Sequence, residues 1–215
     1  MGRIGAVPAL VLVLALTSSC RLSSDKAKLE GIPDIPANVE LRFVDKGLQV
    51  SWKPDARPAS YYVFWGKEEG VYDRVIDSSA PPVVLGDLQK GTFYTIAVTA
   101  RNEWGESEYS EEQAVIYDDD PGKASEYLVK AKDMIVKGYH REAMAYLAAV
   151  IRLDPDNPDP YRYRAALNEK LGRVRLVKED LALAEAVIKR RSAHVADSPP
   201  EPVLPFGINK GIGPR

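Results

Sequence analysis

The side chains able to do chemistry are few and scattered. His140 and His194 are the only histidines and Cys20 the only cysteine, and none has a nucleophile, an acid or further metal ligands at a useful spacing. An acid–base pair needs two titratable groups within hydrogen-bond reach, and the order of residues supplies none. Asp118, Asp119 and Asp120 are consecutive carboxylates before a Pro-Gly pair. They read as a solvated acidic linker, with no further ligand pattern for a cation. The run GINKGIG at 207–213 lacks the strand-to-helix setting in which a Gly-rich loop cradles phosphate. No catalytic residue, metal site or cofactor is expected, and the chain reads as a non-enzyme.

The elements around these residues divide the chain. Arg3 and the free amine, an apolar run at 4–16 and the small residues Thr17, Ser18 and Ser19 precede Cys20, the order of an export leader. The apolar run is shorter than the ~20 residues of a spanning helix, so cleavage is expected rather than a permanent span. This segment resembles a bacterial lipoprotein signal, with Thr17 where leucine normally stands and Leu16 one place earlier. The resemblance implies a signal peptide at 1–19, lipidation of Cys20, membrane attachment through more than one acyl chain, and a polar tether at 20–34. Arg21 is not the aspartate that retains lipoproteins in the inner membrane of enteric bacteria, which favours the outer membrane.

At 85–109, LGDLQKGTFYTIAVTARNEWGESEY joins a corner, a strand and a Gly-bearing loop. Tyr94, Ile96, Val98 and Ala100 alternate with Thr95, Ala97, Thr99 and Arg101, which predicts a strand covering a core on one face. Leu48, Val50 and Trp52 make a second such row and Tyr61, Val63 and Trp65 a third. The order L-x-V-x-W, Y-x-V-x-W, then L-x-x-G-T-x-Y-x-I-x-V-x-A-x-N-x-x-G-x-S resembles a fibronectin type III domain over 35–117. That resemblance implies a β-sandwich in which Trp52 is the core tryptophan, Leu88 precedes the corner, and the Tyr94 hydroxyl ties back to upstream backbone. The absence of cysteine there agrees with a sandwich lacking an inter-sheet disulfide.

After the linker at 118–123 the periodicity becomes helical, and residues recur 34 apart: Tyr127 with Tyr161, Ala131 with Ala165, Gly138 with Gly172, Leu147 with Leu181. Small Ala131 and Ala143 let two helices approach, and Gly138 and Gly172 occupy the turns. The spacing resembles the tetratricopeptide repeat, in two copies over 124–191, so the fold class is multidomain β plus α. In the second copy Val177 and Asn168 stand where Ala143 and Met134 stand in the first. Two repeats are fewer than a solenoid normally needs, so the sandwich, a second chain or a partner must cover the ends. The apolar residues of the last helix, including Val174, Leu181 and Ile188, are expected to be mostly core. The tail at 192–215 is Pro- and Gly-rich without periodicity and is expected to be disordered.

A formal net charge of −2, with Glu179, Asp180 and Glu185 interspersed among the basic residues of the last helix, predicts a solvated face rather than a nucleic-acid surface. The repeat resemblance implies a groove lined by first helices. Here these positions are Leu128, Lys132 and Ile135, then Arg162, Ala166 and Glu169, with Lys132 and Arg162 placed to meet a partner's carboxylates. Trp104, in the 102–105 loop, is either a contact or a cap on the sandwich end. The functional expectation is a membrane-anchored adaptor of the bacterial envelope that binds protein, with homo-oligomerisation open. The alternative is a glycan-binding accessory lipoprotein using Trp104 or Tyr109.

Overall fold

The computed structural model describes residues 31–54 and 60–197, with side chains to residue 193. The leader, Cys20, most of the tether and residues 198–215 lie outside the described residues.

The described residues hold eight strands, of which the second, third and sixth carry the three alternating rows: β1 Ala37–Val44, β2 Gly47–Lys53, β3 Ser60–Gly66, β4 Arg74–Ser78, β5 Val83–Leu85, β6 Thr92–Asn102, β7 Gly105–Glu106 and β8 Gln113–Tyr117. One antiparallel sheet runs β1-β2-β5; the other runs β4-β3-β6, with both β7 and β8 paired to β6. Between β7 and β8, serines replace a regular ladder. The Val98 N–H donates to Ser110 Oγ at 3.0 Å and the Ala100 N–H to Ser107 Oγ at 3.0 Å.

Leu48, Val50, Val63, Ile96 and Val98 are fully buried between the sheets, with Trp52 packed on Tyr61 at a ring separation of 5.2 Å. Leu88 packs against this core, and the Gln89 N–H donates to the Tyr94 hydroxyl at 3.0 Å, closing the corner. One expectation is corrected. The alternation predicts a solvated face at Thr95, Ala97 and Thr99 of β6, yet these three are also buried. The reason is its central place in the sheet: their side chains are short, the Thr95 hydroxyl donates to the Glu68 carbonyl, and the Thr99 hydroxyl donates to Glu106.

Four helices follow: α1 Ala124–Lys137, α2 His140–Leu153, α3 Asp159–Lys170 and α4 Val174–Asp197. A short 3₁₀ turn, Pro121–Lys123, leads into α1, with Asp120 Oδ1 accepting the Gly122 N–H at 2.9 Å. α1 stops because Gly138 takes φ = 84°, and the N–H groups of Gly138 and Tyr139 return to the carbonyls of Ile135 and Met134. α3 stops the same way. Gly172 has φ = 72°, and the N–H groups of Gly172 and Arg173 return to Glu169 and Asn168. A left-handed residue there favours glycine, which carries no Cβ to clash.

The chain forms two compact units, the first ending at Leu153 and the second beginning at Asp154. The boundary therefore falls between the two helix pairs, and α1 and α2 share a unit with the sandwich. Their seam is Tyr127 and Ala131 against Ala143, Leu147 and Val150, all buried. In the second unit Tyr161, Ala165, Leu167, Ala184 and Val187 are buried.

That unit also corrects the reading of Asp180 as solvent-facing: it is only 4% exposed. Asp180 Oδ1 accepts from Arg164 Nε at 2.9 Å and Nη2 at 2.6 Å, while Oδ2 accepts from Asn168 Nδ2 at 3.0 Å. Asn168, where the first copy has apolar Met134, is the reason an acid belongs there. Of the seven apolar residues of α4 expected to be mostly core, Ala184 and Val187 are buried and Leu176 and Val177 half-buried, whereas Val174, Leu181 and Ile188 are 65%, 46% and 36% exposed. They lie to one side of the seam that α4 makes with α3.

Candidate functional site

The first helix pair meets the sandwich through residues far apart in sequence. The Arg152 guanidinium of α2 sits 3.7 Å over the Phe43 ring and donates to the carbonyls of Asp118 and Ile116. At the other end of α2, Arg141 pairs with Glu69 at 2.8 Å and with Glu112 at 3.1 Å. Glu112 also accepts from the Tyr72 hydroxyl at 2.7 Å and the Gly70 N–H at 2.9 Å. Burial and the adjacent Glu112 both push the Tyr72 hydroxyl pKa up, so it remains a donor. Two arginines at the two ends of one helix hold it at two separate points on the sandwich.

Asp118 lies between them and is buried rather than solvated, a further correction. It accepts from the Tyr127 hydroxyl of α1 and from the Asp120 N–H. Burial opposes its ionisation, but bonds from Tyr127 and the N–H groups of Asp120 and Asp119 together outweigh it and hold its pKa below the ordinary value. Burial and Asp118 in turn raise the Tyr127 pKa. Because the folded-state pKa of Asp118 is depressed, its stabilisation is full above the ordinary carboxylate range and is lost as pH falls through the folded value. Acidification should therefore loosen α1 from the sandwich. Asp118→Asn should cost about 1–3 kcal/mol at neutral pH and remove this part of the pH dependence, as measured by thermal melts across an acid series.

Beside Asp118 a cleft of about 560 Å³ opens between the sandwich and α1. Its lysines are paired: Lys90 with Asp119, and both Lys123 and Lys130 with Glu126, at 2.8 and 2.9 Å. Lys130 also lies over the rings of Tyr127 and Tyr146. The three lysines are thus tied up by two of the four lining carboxylates, while Asp118 and Asp120 are held by hydrogen bonds. Among the described residues no group of three or more His, Cys, Asp or Glu is arranged to hold a metal ion.

The opposite face of α1 is open. Leu128, Lys132 and Ile135 are half-buried, and around them Val129, Val136 and Tyr139 are 66%, 86% and 60% exposed. At 100° per residue the five of these that lie on α1 fall in one stripe with Lys132 inside it, and Tyr139 follows just past the Gly138 turn. The repeat resemblance named the first three residues. It missed the other three because only the packing of α2 reveals which flank stays uncovered. Arg162, Ala166 and Glu169 are exposed on α3, with Arg162 held 3.6 Å from Asp159 one turn earlier. The two predicted sets thus belong to different compact units.

Trp104 is 46% exposed. One side of its ring rests on Gly31, where an added Cβ would lie 2.6 Å from Cγ. Asn102 holds the loop by donating to the Gly31 carbonyl at 2.8 Å and accepting the Trp104 N–H at 2.8 Å. Tyr109, 50% exposed, packs against Phe64 and Tyr72 at 5.1 and 5.3 Å on the outer sheet face.

Two antiparallel sheets closed by a tyrosine corner define an immunoglobulin-like sandwich. Residues 34–116 match the fibronectin type III domain, and this segment is one. Similar solved structures include FN3tt mut, at 20% identity and TM-score 0.36, over 40% of this chain and 97% of that one. The FN1–FN3 domains of chicken CNTN1 match at 21% identity and TM-score 0.36, over 40% of this chain and 31% of that one. A myokine structure matches at 25% identity and TM-score 0.35, over 40% of this chain and 98% of that one. No curated protein matches the chain. Fibronectin type III domains are typically non-catalytic modules that mediate protein–protein interactions.

Proposed function

We propose that this chain is a membrane-anchored, non-enzymatic adaptor of the bacterial envelope, lipidated at Cys20 and seated in the outer membrane. It recruits a protein partner through the first helix of a tetratricopeptide-like pair. The observation that carries this reading is the open apolar stripe on α1, with Val136 86% and Val129 66% exposed beside Lys132. The paired glycine turns at Gly138 and Gly172 support the repeat reading. The sandwich supplies the rigid base, because Arg141 and Arg152 fix α2, and α2 fixes α1. Lys132 favours a partner that brings a carboxylate among apolar side chains.

Affinity capture from a detergent-solubilised envelope extract, with the full chain as bait, tests this. A stoichiometric protein should be retained, and Val129→Asp/Val136→Asp should reduce its recovery at least about tenfold, the effect of losing contacts at an interface centre. Lys132→Ala should give a smaller loss. The aromatic group of Phe64, Tyr72 and Tyr109 favours a second reading, glycan binding. Retained polysaccharide lost on Tyr109→Ala or Trp104→Ala, with no protein sensitive to the α1 stripe, would replace the first reading by the second.

A further inference from the structure

Val174, Leu181 and Ile188 recur every seven residues along the 24-residue α4 and are 65%, 46% and 36% exposed. Seven-residue spacing on a helix makes a nearly straight apolar seam, the form taken by helices that pair with other helices. The α3 side of α4 is already satisfied by Ala184, Val187 and the Arg164–Asp180–Asn168 cluster. The exposed seam is a second contact face on the same helix. It is flanked by Lys178 and Glu185, both exposed and neither in an ion pair among the described residues.

We propose that this seam is an antiparallel homodimer interface, formed by α4 of one protomer against α4 of a second copy about a two-fold axis beside Leu181. The pattern is symmetric about that residue. Val174 and Ile188 lie seven positions to either side, so reversing one helix sets Val174 against Ile188, Leu181 against Leu181 and Ile188 against Val174. The same reversal brings Lys178 beside Glu185 of the second copy, twice by symmetry. A parallel pairing would instead carry the two copies of Lys178, and of Glu185, to opposite sides of the seam, and neither ion pair would form. Charge therefore selects both the occupant and its direction. With only three apolar layers the contact is smaller than a standard interface, and a dissociation constant on the order of 10–100 μM is expected. This inference stands on α4 and is independent of the partner-binding face of α1.

Sedimentation of the full chain in detergent, up to about 500 μM, reads the monomer–dimer equilibrium. Leu181→Lys should weaken the dimer at least about tenfold. Lys178→Glu and Glu185→Lys should each weaken it about tenfold through two repulsive contacts, and the double swap should restore it. Because all these positions are exposed, the variants should keep their helix content, checked by circular dichroism. In a Cys20→Ser background, Lys178→Cys chains mixed with Glu185→Cys chains should oxidise to a mixed disulfide dimer, with neither alone doing so efficiently. A chain that stays monomeric throughout would overturn the proposal and leave the seam to residues 198–215 or to a different protein. A dimer indifferent to Leu181→Lys, or one whose charge swaps are not mutually rescuing, would overturn it as well.

Discussion

Replacing Asp180 by alanine should unfold the α3–α4 pair. Asp180 is 4% exposed, accepts both a two-nitrogen contact from Arg164 and a bond from Asn168, and is the only carboxylate among those three residues. Removing it strands a guanidinium and a buried amide with no replacement acceptor. Breaking a fully buried ion pair from one side costs about 3–5 kcal/mol, and the 25% exposure of the Arg164 side chain puts this one at the lower end of that range. A two-helix unit whose seam rests on Tyr161, Ala165, Leu167, Ala184 and Val187 has little reserve against such a loss. Amide hydrogen exchange of α3 and α4 should rise towards that of an unfolded segment. The triple change Arg164→Met/Asn168→Leu/Asp180→Leu should recover protection, since apolar packing can replace a buried ionic cluster. Protection unchanged in Asp180→Ala would mean that the cluster is loose and hydrated.

The second large effect is an asymmetry between residues that the sequence repeat pairs as equivalents. Leu147→Ala should destabilise the first unit by about 2–5 kcal/mol, the range for a large-to-small change in a closed core. Leu181→Ala should fall within about 0.5 kcal/mol, the range for an exposed site. Leu147 is 0% exposed, on the α2 seam with Ala131; Leu181 is 46% exposed, one step round α4 from the seam. Denaturant unfolding of both variants, at a concentration where the chain is monomeric, compares them directly. Equal losses would show that Leu181 is buried in solution.

This asymmetry shows where sequence stopped informing. The sandwich was legible because a strand facing a core repeats every two residues, and Leu48, Val50, Trp52, Tyr94, Ile96 and Val98 all obey that period and are buried. The buried outer face of β6 was not, since Thr95 and Thr99 look like surface residues until Glu68 and Glu106 are seen to cover them. The helix pairs were legible from the 34-residue recurrence and from glycines at their turns. Burial did not follow the recurrence, because Asn168 replaced an apolar residue and drew Asp180 inward. The attachment to the sandwich left no local trace at all: Arg141 reaches Glu112 across 29 residues and Arg152 reaches Ile116 across 36. Only folding brings such partners together, so periodicity and spacing are blind to them.

A protein seated on the open face of α1 would be trapped there by a reactive side chain. The most direct measurement is photo-crosslinking in intact cells, with a photoreactive residue placed at Val136, at Val129, or at Val84 of β5 as a control of comparable chemistry, 45% exposed. The same discrete protein adduct is expected from Val136 and Val129, absent from Val84 and lost when Lys132 is changed to glutamate. No adduct from the α1 positions, or the same adducts from all three, would contradict it.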